Sequence, residues 1–216
     1  MNLEQARFNM IEQQIRPWDV LDAHVLHLLS VVNREDFVPQ GFRNLAFVDM
    51  EIPLAGGQNM LAPRVEARVL QELTVRKHED VLEIGAGSGY MAALLAHRGR
   101  HVTTLDIVPE LITLARDNLA RNGVTNVDVV EASGAQGWGQ EVYDVICVSG
   151  SVQAVPEALL KQLKVGGRLS IFVGTAPVME AQLITRISNT EYQTRNLFET
   201  YVTPLVGVPA PSQFRF

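Results

Sequence analysis

Apolar residues at Leu3, Ala6, Met10, Ile11 and Ile15 recur at helical spacing, which predicts an opening helix that Arg16-Pro17 ends. Asp19 is placed to cap a second helix, with Leu21, Val25, Leu28 and Leu29 along one face. After the polar turn 34–36, Phe37-Val38-Pro39 forms an aromatic anchor, and 47–53 reads as extended. Residues 56–63 read as a loop, and Pro63 suits the first turn of a helix over 64–73. The pattern then changes. Val81-Leu82-Glu83-Ile84 reads as a buried strand with one carboxylate in it, and Met91 to Ala96 as a helix. Strands are predicted at 103–106, 127–130, 143–148 and 168–173. A helix over 109–119, opened by Pro109 and stopped by Gly123, and another over 156–163 alternate with them. Gly166-Gly167 reads as a turn. The alternation implies an α/β fold, a Rossmann-like, doubly wound and mostly parallel sheet. Residues 182–188 and 192–199 follow without a helix pattern and predict a closing antiparallel pair, which makes seven strands. The tail 204–216 has three prolines and no period. Residues 1–78 therefore read as an N-terminal helical cap and 79–216 as the core of one compact unit.

Between the first core strand and its helix lies Gly85-Ala86-Gly87-Ser88-Gly89. Glycine suits such a turn because a side chain would block close approach of a ligand to the backbone, and because the turn needs unusual dihedrals. The helix that follows offers free N–H groups at its start. A dinucleotide fingerprint would carry its third glycine where Tyr90 sits. The spacing Glu83-x-Gly85-x-Gly87-x-Gly89 instead resembles motif I of class I S-adenosylmethionine-dependent methyltransferases. That ligand has no pyrophosphate, so an acid beside the loop is tolerable. A second acid is required at the end of the next strand to accept from ribose hydroxyls, and Asp106 stands about 20 residues on. The alternative is a structural glycine turn beside an unrelated acid, and the offset of Asp106 weighs against it.

Composition narrows the classes further. A chain of 216 residues that is 47% hydrophobic can bury a sizeable core. Its net charge is −6 and it has no basic run, which argues against a nucleic-acid partner. No stretch approaches the roughly 20 apolar residues of a membrane span, and the N-terminus has no secretory pattern. The single cysteine, Cys147, excludes an internal disulfide and fits a reducing cytoplasm. The five histidines, His24, His27, His78, His97 and His101, show no metal-ligand spacing, so no metal is expected.

With the core placed, the chain from about Arg7 to Gly207 resembles the protein-L-isoaspartate (D-aspartate) O-methyltransferase family. The resemblance is carried by Met10-Ile11-Glu12-Gln13-Gln14-Ile15, Glu35-Asp36-Phe37-Val38-Pro39, Gly57-Gln58 with Pro63, the glycine block, Gly166-Gly167-Arg168-Leu169 and Pro204-Leu205-Val206-Gly207. It implies a Rossmann-like sheet with an N-terminal helical extension and unusually ordered last strands. It also implies methyl transfer from S-adenosylmethionine to the free α-carboxyl of isoaspartyl residues in damaged proteins, in the cytoplasm. The ester then collapses to a succinimide. The cofactor contacts implied are Glu83, Gly85, Ala86, Gly87, Gly89, Asp106, Ile107, Ala132 and Ser133. A carboxylate with a pKa near 4 is already ionised at neutral pH, so no general base is required. Positioning and exclusion of water suffice.

Two departures bear on the reading. The family loop after Gly-Gln reads Thr-Ile-Ser, and its serine is the active-site residue. Here Asn59, Met60 and Leu61 stand there, and Leu61 has no donor. Asn59 has amide N–H groups that can orient a carboxylate and is the candidate catalytic residue. The family's Gly-Asp-Gly, whose acid contacts adenine, is replaced by Ala132-Ser133-Gly134. Two further readings stay open. One is a diverged methyltransferase with a hydroxyl or amine acceptor and a base drawn from Asp49, Glu51 or Asp144. The other is a non-catalytic cofactor-binding protein. A nicotinamide enzyme is more distant.

Overall fold

The computed structural model describes residues 2–208, so the end of the proline-bearing tail, residues 209–216, lies outside the described residues. Helix α1 (Leu3–Met10) starts where the Asn2 side chain accepts the Gln5 N–H, and it continues through a π turn over Ile11–Ile15 and a 3-10 turn over Arg16–Trp18. Helix α2 (Ala23–Val31) is capped by Asp22, whose Oδ1 accepts from the N–H groups of His24 and Val25 at 2.7 and 3.2 Å. The predicted cap, Asp19, instead takes a left-handed φ of 66° at the end of the preceding turn. Leu21, expected on the buried face, is 64% exposed because it precedes the helix.

Of the stretch predicted to be extended, only β1 (Ile52–Pro53) is a strand, and it pairs antiparallel with β2 (Asn59–Met60). Helix α3 (Pro63–Leu73) opens on Pro63 as predicted. The core then runs β3 (Asp80–Ile84), α4 (Tyr90–Arg98), β4 (His101–Asp106), α5 (Pro109–Arg121), β5 (Val127–Glu131) and β6 (Tyr143–Val152). It closes with the short α6 (Glu157–Lys161), β7 (Leu163–Thr175), β8 (Val178–Arg186) and β9 (Tyr192–Thr200). Gly166-Gly167 is not a turn between elements but part of β7. A Cβ on Gly167 would stand 2.8 Å from the Lys164 carbonyl and 3.0 Å from that of Asp144, so glycine lets the strand kink against β6.

The sheet order is β5-β4-β3-β6-β7-β8-β9. Strands β5 through β7 are parallel, and β8 and β9 are antiparallel, as the missing helix pattern implied. Strand order reverses between β3 and β6, so the carboxyl ends of β3, β4 and β6 frame a crevice, the usual ligand position in such sheets. Val81 and Leu82 point to opposite faces and into separate clusters. The first cluster is continuous with the N-terminal helices, α3 and α4.

One buried charge ties separate stretches of the N-terminal segment together and meets the core at the Tyr90 ring. Arg34 is 1% exposed, and its guanidinium pairs with Glu66 of α3. It also donates to the carbonyls of Ala46 at 2.9 Å and Leu61 at 2.7 Å, and lies 5.1 Å from the Tyr90 ring centre. Burial pushes the Glu66 carboxyl up to about 7, with the guanidinium pulling the other way. Removing one member of such a pair leaves the other uncompensated. Arg34→Ala should therefore lower the free energy of unfolding by about 3–5 kcal/mol in urea titrations. The paired replacement Arg34→Met with Glu66→Leu should cost much less.

Candidate active site

At the end of β3 the N–H groups of Gly85 and Ala86 both donate to the Leu105 carbonyl, at 2.8 and 2.9 Å. The loop is thus pinned to β4 as it leaves the sheet. Gly85 and Gly87 take φ of 95° and 52°. A Cβ on Gly85 would come within 3.3 Å of Leu205, and one on Gly87 within 3.3 Å of Leu54. The third glycine has a different task. Gly89 turns its bare face to the backbone of Ala115, 3.2 Å from where a Cβ would stand, so it sets the packing of α4 on α5.

Asp106, at the end of β4, is 8% exposed. Its Oδ2 accepts from the Gly87 N–H at 3.0 Å and its Oδ1 from the Val108 N–H at 3.1 Å. The carboxylate is held rigidly and keeps acceptor capacity on both oxygens. Beside it, Ile107, Ala132, Ser133, Leu205 and Val206 wall a cleft whose polar side chains are Gln58, Ser133 and Asp106. Gly134 closes its floor: a Cβ there would lie 2.7 Å from the Ile84 side chain.

A second cavity lies across the glycine loop. Glu83, Gly85, Ala86, Gly87, Tyr90 and Ser149 line it, and so do Asn59, Leu61 and Glu66. Residues 59–61 and the glycine loop therefore share one wall. Glu83 is fully buried and accepts hydroxyl hydrogen bonds from Thr104 at 2.6 Å and Ser149 at 3.0 Å. Burial pushes its carboxyl up to about 8, which the two hydroxyls oppose and the charges of Asp106 and Glu66 reinforce. The Tyr90 hydroxyl is buried without a hydrogen-bond partner among the described residues. Its ring packs edge-on to Phe37 at 5.3 Å between centres.

These features fit S-adenosylmethionine. An orphaned hydroxyl and a buried carboxyl suit a polar, charged end, the ordered Asp106 suits a ribose, and the apolar cleft suits an adenine. The family resemblance implies one site for Asp106, Ile107, Ala132 and Ser133, and they line one cleft. It missed Ser149, the partner of Glu83, whose place follows only once β6 is known to lie beside β3. It also missed Leu205 and Val206 as cleft walls.

The other candidates separate. The Leu61 side chain is buried at 5% exposure, and only its carbonyl is engaged. Asn59 Nδ2 donates to the Thr203 hydroxyl at 2.7 Å. Asp49 pairs with Arg64 at 2.9 Å. Asp144 lies at the opposite end of the sheet, where it accepts from the Asp80 N–H and pairs with Lys164, so it cannot serve the crevice. Cys147 is buried in β6, and burial raises its thiol. Among the described residues, no three His, Cys, Asp or Glu side chains are grouped to hold a metal, and no helix is long and apolar enough to cross a membrane.

Fold and crevice together define a class I, Rossmann-like methyltransferase. The family model for protein-L-isoaspartate(D-aspartate) O-methyltransferase (PCMT) matches residues 5–209. The chain is 40% identical over 208 residues to protein-L-isoaspartate O-methyltransferase 2 of Marinobacter nauticus, covering 95% of each. It is 38% identical over 200 residues to the Rhodopseudomonas palustris protein-L-isoaspartate O-methyltransferase, covering 92% of each. The chain belongs to this family. A solved protein-L-isoaspartate O-methyltransferase structure superposes with a TM-score of 0.80 at 25% identity, over 93% of this chain and 66% of that one. A Plasmodium falciparum structure in complex with S-adenosyl-L-homocysteine shares the fold, with a TM-score of 0.80 at 19% identity over 95% and 98% of the two chains.

The carboxyl of Glu83 generates a pH prediction. Its folded pKa, about 8, stands above an unfolded value near 4.3. The stability linked to it is complete below the lower value and is lost as pH rises through the higher one. The urea midpoint of the ligand-free protein should fall from about pH 5 to about pH 9, and Glu83→Gln should flatten that fall.

Proposed function

We propose that this chain transfers the methyl group of S-adenosylmethionine to the free α-carboxyl of isoaspartyl residues in polypeptides. The observation that carries the reading is the shared wall: the loop from Asn59 to Leu61 lines the same cavity as Glu83 and the glycine loop. A methyl donor held on that loop faces an acceptor held on the other.

The cofactor supplies an electrophilic methyl on a sulfonium. Asp106 accepts from the ribose hydroxyls while its loop bonds hold it still. Ile107, Ala132 and Ser133 hold the adenine, with Ser133 as a neutral substitute for a carboxylate. Glu83, Gly85, Ala86 and Gly87 frame the amino-acid end, and Gly89 supports them from behind. Asn59 orients the acceptor. The acceptor carboxylate is ionised at neutral pH, so the work is alignment in a dry site. The N-terminal segment, residues 1–78, supplies the acceptor side and residues 79–216 the cofactor side. The substrate is protein, with no nucleic acid or membrane partner, and the reducing cytoplasm suits the buried Cys147.

A second reading, transfer to another acceptor, is favoured by Leu61, which offers no donor where the family has a serine. Labelled S-adenosylmethionine with matched isoaspartyl and aspartyl peptides decides between them. The proposal predicts base-labile label on the isoaspartyl peptide alone. Cofactor binding without label on either peptide contradicts it. Asp106→Ala should weaken cofactor binding by about 10- to 100-fold, from loss of charge-assisted hydrogen bonds, as read by calorimetry.

A further inference from the structure

Helix α5 supports the glycine loop at two points. At Ala115 its backbone meets the bare face of Gly89. One turn on, on the same face, it carries Asn118, which is 2% exposed. The Asn118 side chain uses both of its amide hydrogens. Its Nδ2 donates to the Ser88 carbonyl at 2.9 Å and to the Phe37 carbonyl at 3.2 Å, while its Oδ1 accepts from Arg121 at 2.9 Å. Turned over, the amide would set its oxygen against two carbonyls and its hydrogens against a guanidinium, so Arg121 and the carbonyls together fix its orientation. One of those carbonyls belongs to the glycine loop and the other to the Phe37-Val38-Pro39 anchor.

The loop's own N–H groups show what this grip serves. Those of Gly85 and Ala86 donate to the Leu105 carbonyl, that of Gly87 to Asp106, and that of Gly89 to the Ala86 carbonyl at 2.8 Å. The Ser88 N–H has no acceptor among the described residues. Ser88 is 3% exposed and lines the cavity that Glu83 and Tyr90 share. A backbone donor left open in such a wall calls for an acceptor on the ligand. The amino-acid end of S-adenosylmethionine carries one, its carboxylate. The peptide unit that joins Ser88 to Gly89 is bonded at both ends, its carbonyl to Asn118 and its N–H to Ala86. We propose that Asn118 is a positioning residue for the cofactor: it holds Ser88 in place to receive that carboxylate, and Arg121 keeps its amide turned the right way.

This inference rests on the placement of the cofactor's amino-acid end at the glycine loop, and one set of titrations separates the two. Calorimetry compares S-adenosylhomocysteine, which has that end, with methylthioadenosine, which lacks it. The wild type should bind S-adenosylhomocysteine the more tightly. Asn118→Asp keeps the size of the side chain and its contact with Arg121, but sets an acceptor against the two carbonyls. It should weaken S-adenosylhomocysteine about 10-fold or more and methylthioadenosine by less than about twofold. Arg121→Met, at an exposed position, should act in the same direction with a loss of about threefold. It decides the matter by the same comparison if Asn118→Asp does not fold. Leu119→Ala, buried beside Asn118 on α5, should lower the urea midpoint and leave both affinities within about twofold of wild type. Equal weakening of the two ligands in the Asn118 or Arg121 variant, or no weakening of either, overturns the inference and leaves the placement of the cofactor standing. A wild-type protein that binds the two ligands equally overturns both.

Discussion

Arg34 is a full positive charge with 1% of its surface exposed, and much of the site depends on keeping it paired. A guanidinium has five N–H donors and no way to shed its charge, so its burial fixes the groups around it. Here those groups are Glu66 of α3, the Ala46 carbonyl and the Leu61 carbonyl, with the Tyr90 ring beneath. Each belongs to a different element. The stretches around Arg34, Ala46 and Leu61, with α3 and the start of α4, are thereby set against one another. Leu61 and Tyr90 line the cavity beside the glycine loop, so the pairing that stabilises the fold also shapes the site.

The cofactor side has its own economy of contacts. The Asp106 carboxylate orders the glycine loop through the Gly87 N–H and the next turn through the Val108 N–H. This carboxylate is thus oriented before a ligand arrives, which lowers the ordering cost of binding. Glu83 and Glu66 carry the opposite logic. Both are buried carboxyls with raised pKa, and Glu83 has only hydroxyls as partners. An incoming cationic group would relieve their electrostatic cost.

Much of this was legible in the sequence because local rules and the global fold agree. The α/β alternation, the Pro63 helix start, the glycine turn and the Asp106 offset follow from periodicity and turn chemistry. The misreadings share one cause. Asp19 and Asp22 are both good caps by type, and only the left-handed φ at Asp19 separates them. Gly166-Gly167 reads as a turn by composition, but tertiary crowding by Asp144 and Lys164 makes it a kink inside β7. Long-range partners were invisible for the same reason. Thr203 lies 144 positions from Asn59, and Ser149 lies 66 from Glu83. The β3–β6 pairing brings Ser149 beside Glu83, and the Ser151–Thr203 backbone bond carries Thr203 toward Asn59.

The central claim is that cofactor loop and acceptor loop form one mechanical unit. Hydrogen exchange with and without S-adenosylhomocysteine tests it most directly. The account predicts slower exchange in both the glycine loop, 85–89, and the segment 59–66, because they share a cavity and are tied through Arg34 and Tyr90. Protection confined to 85–89, with 59–66 exchanging as in the free protein, would contradict it.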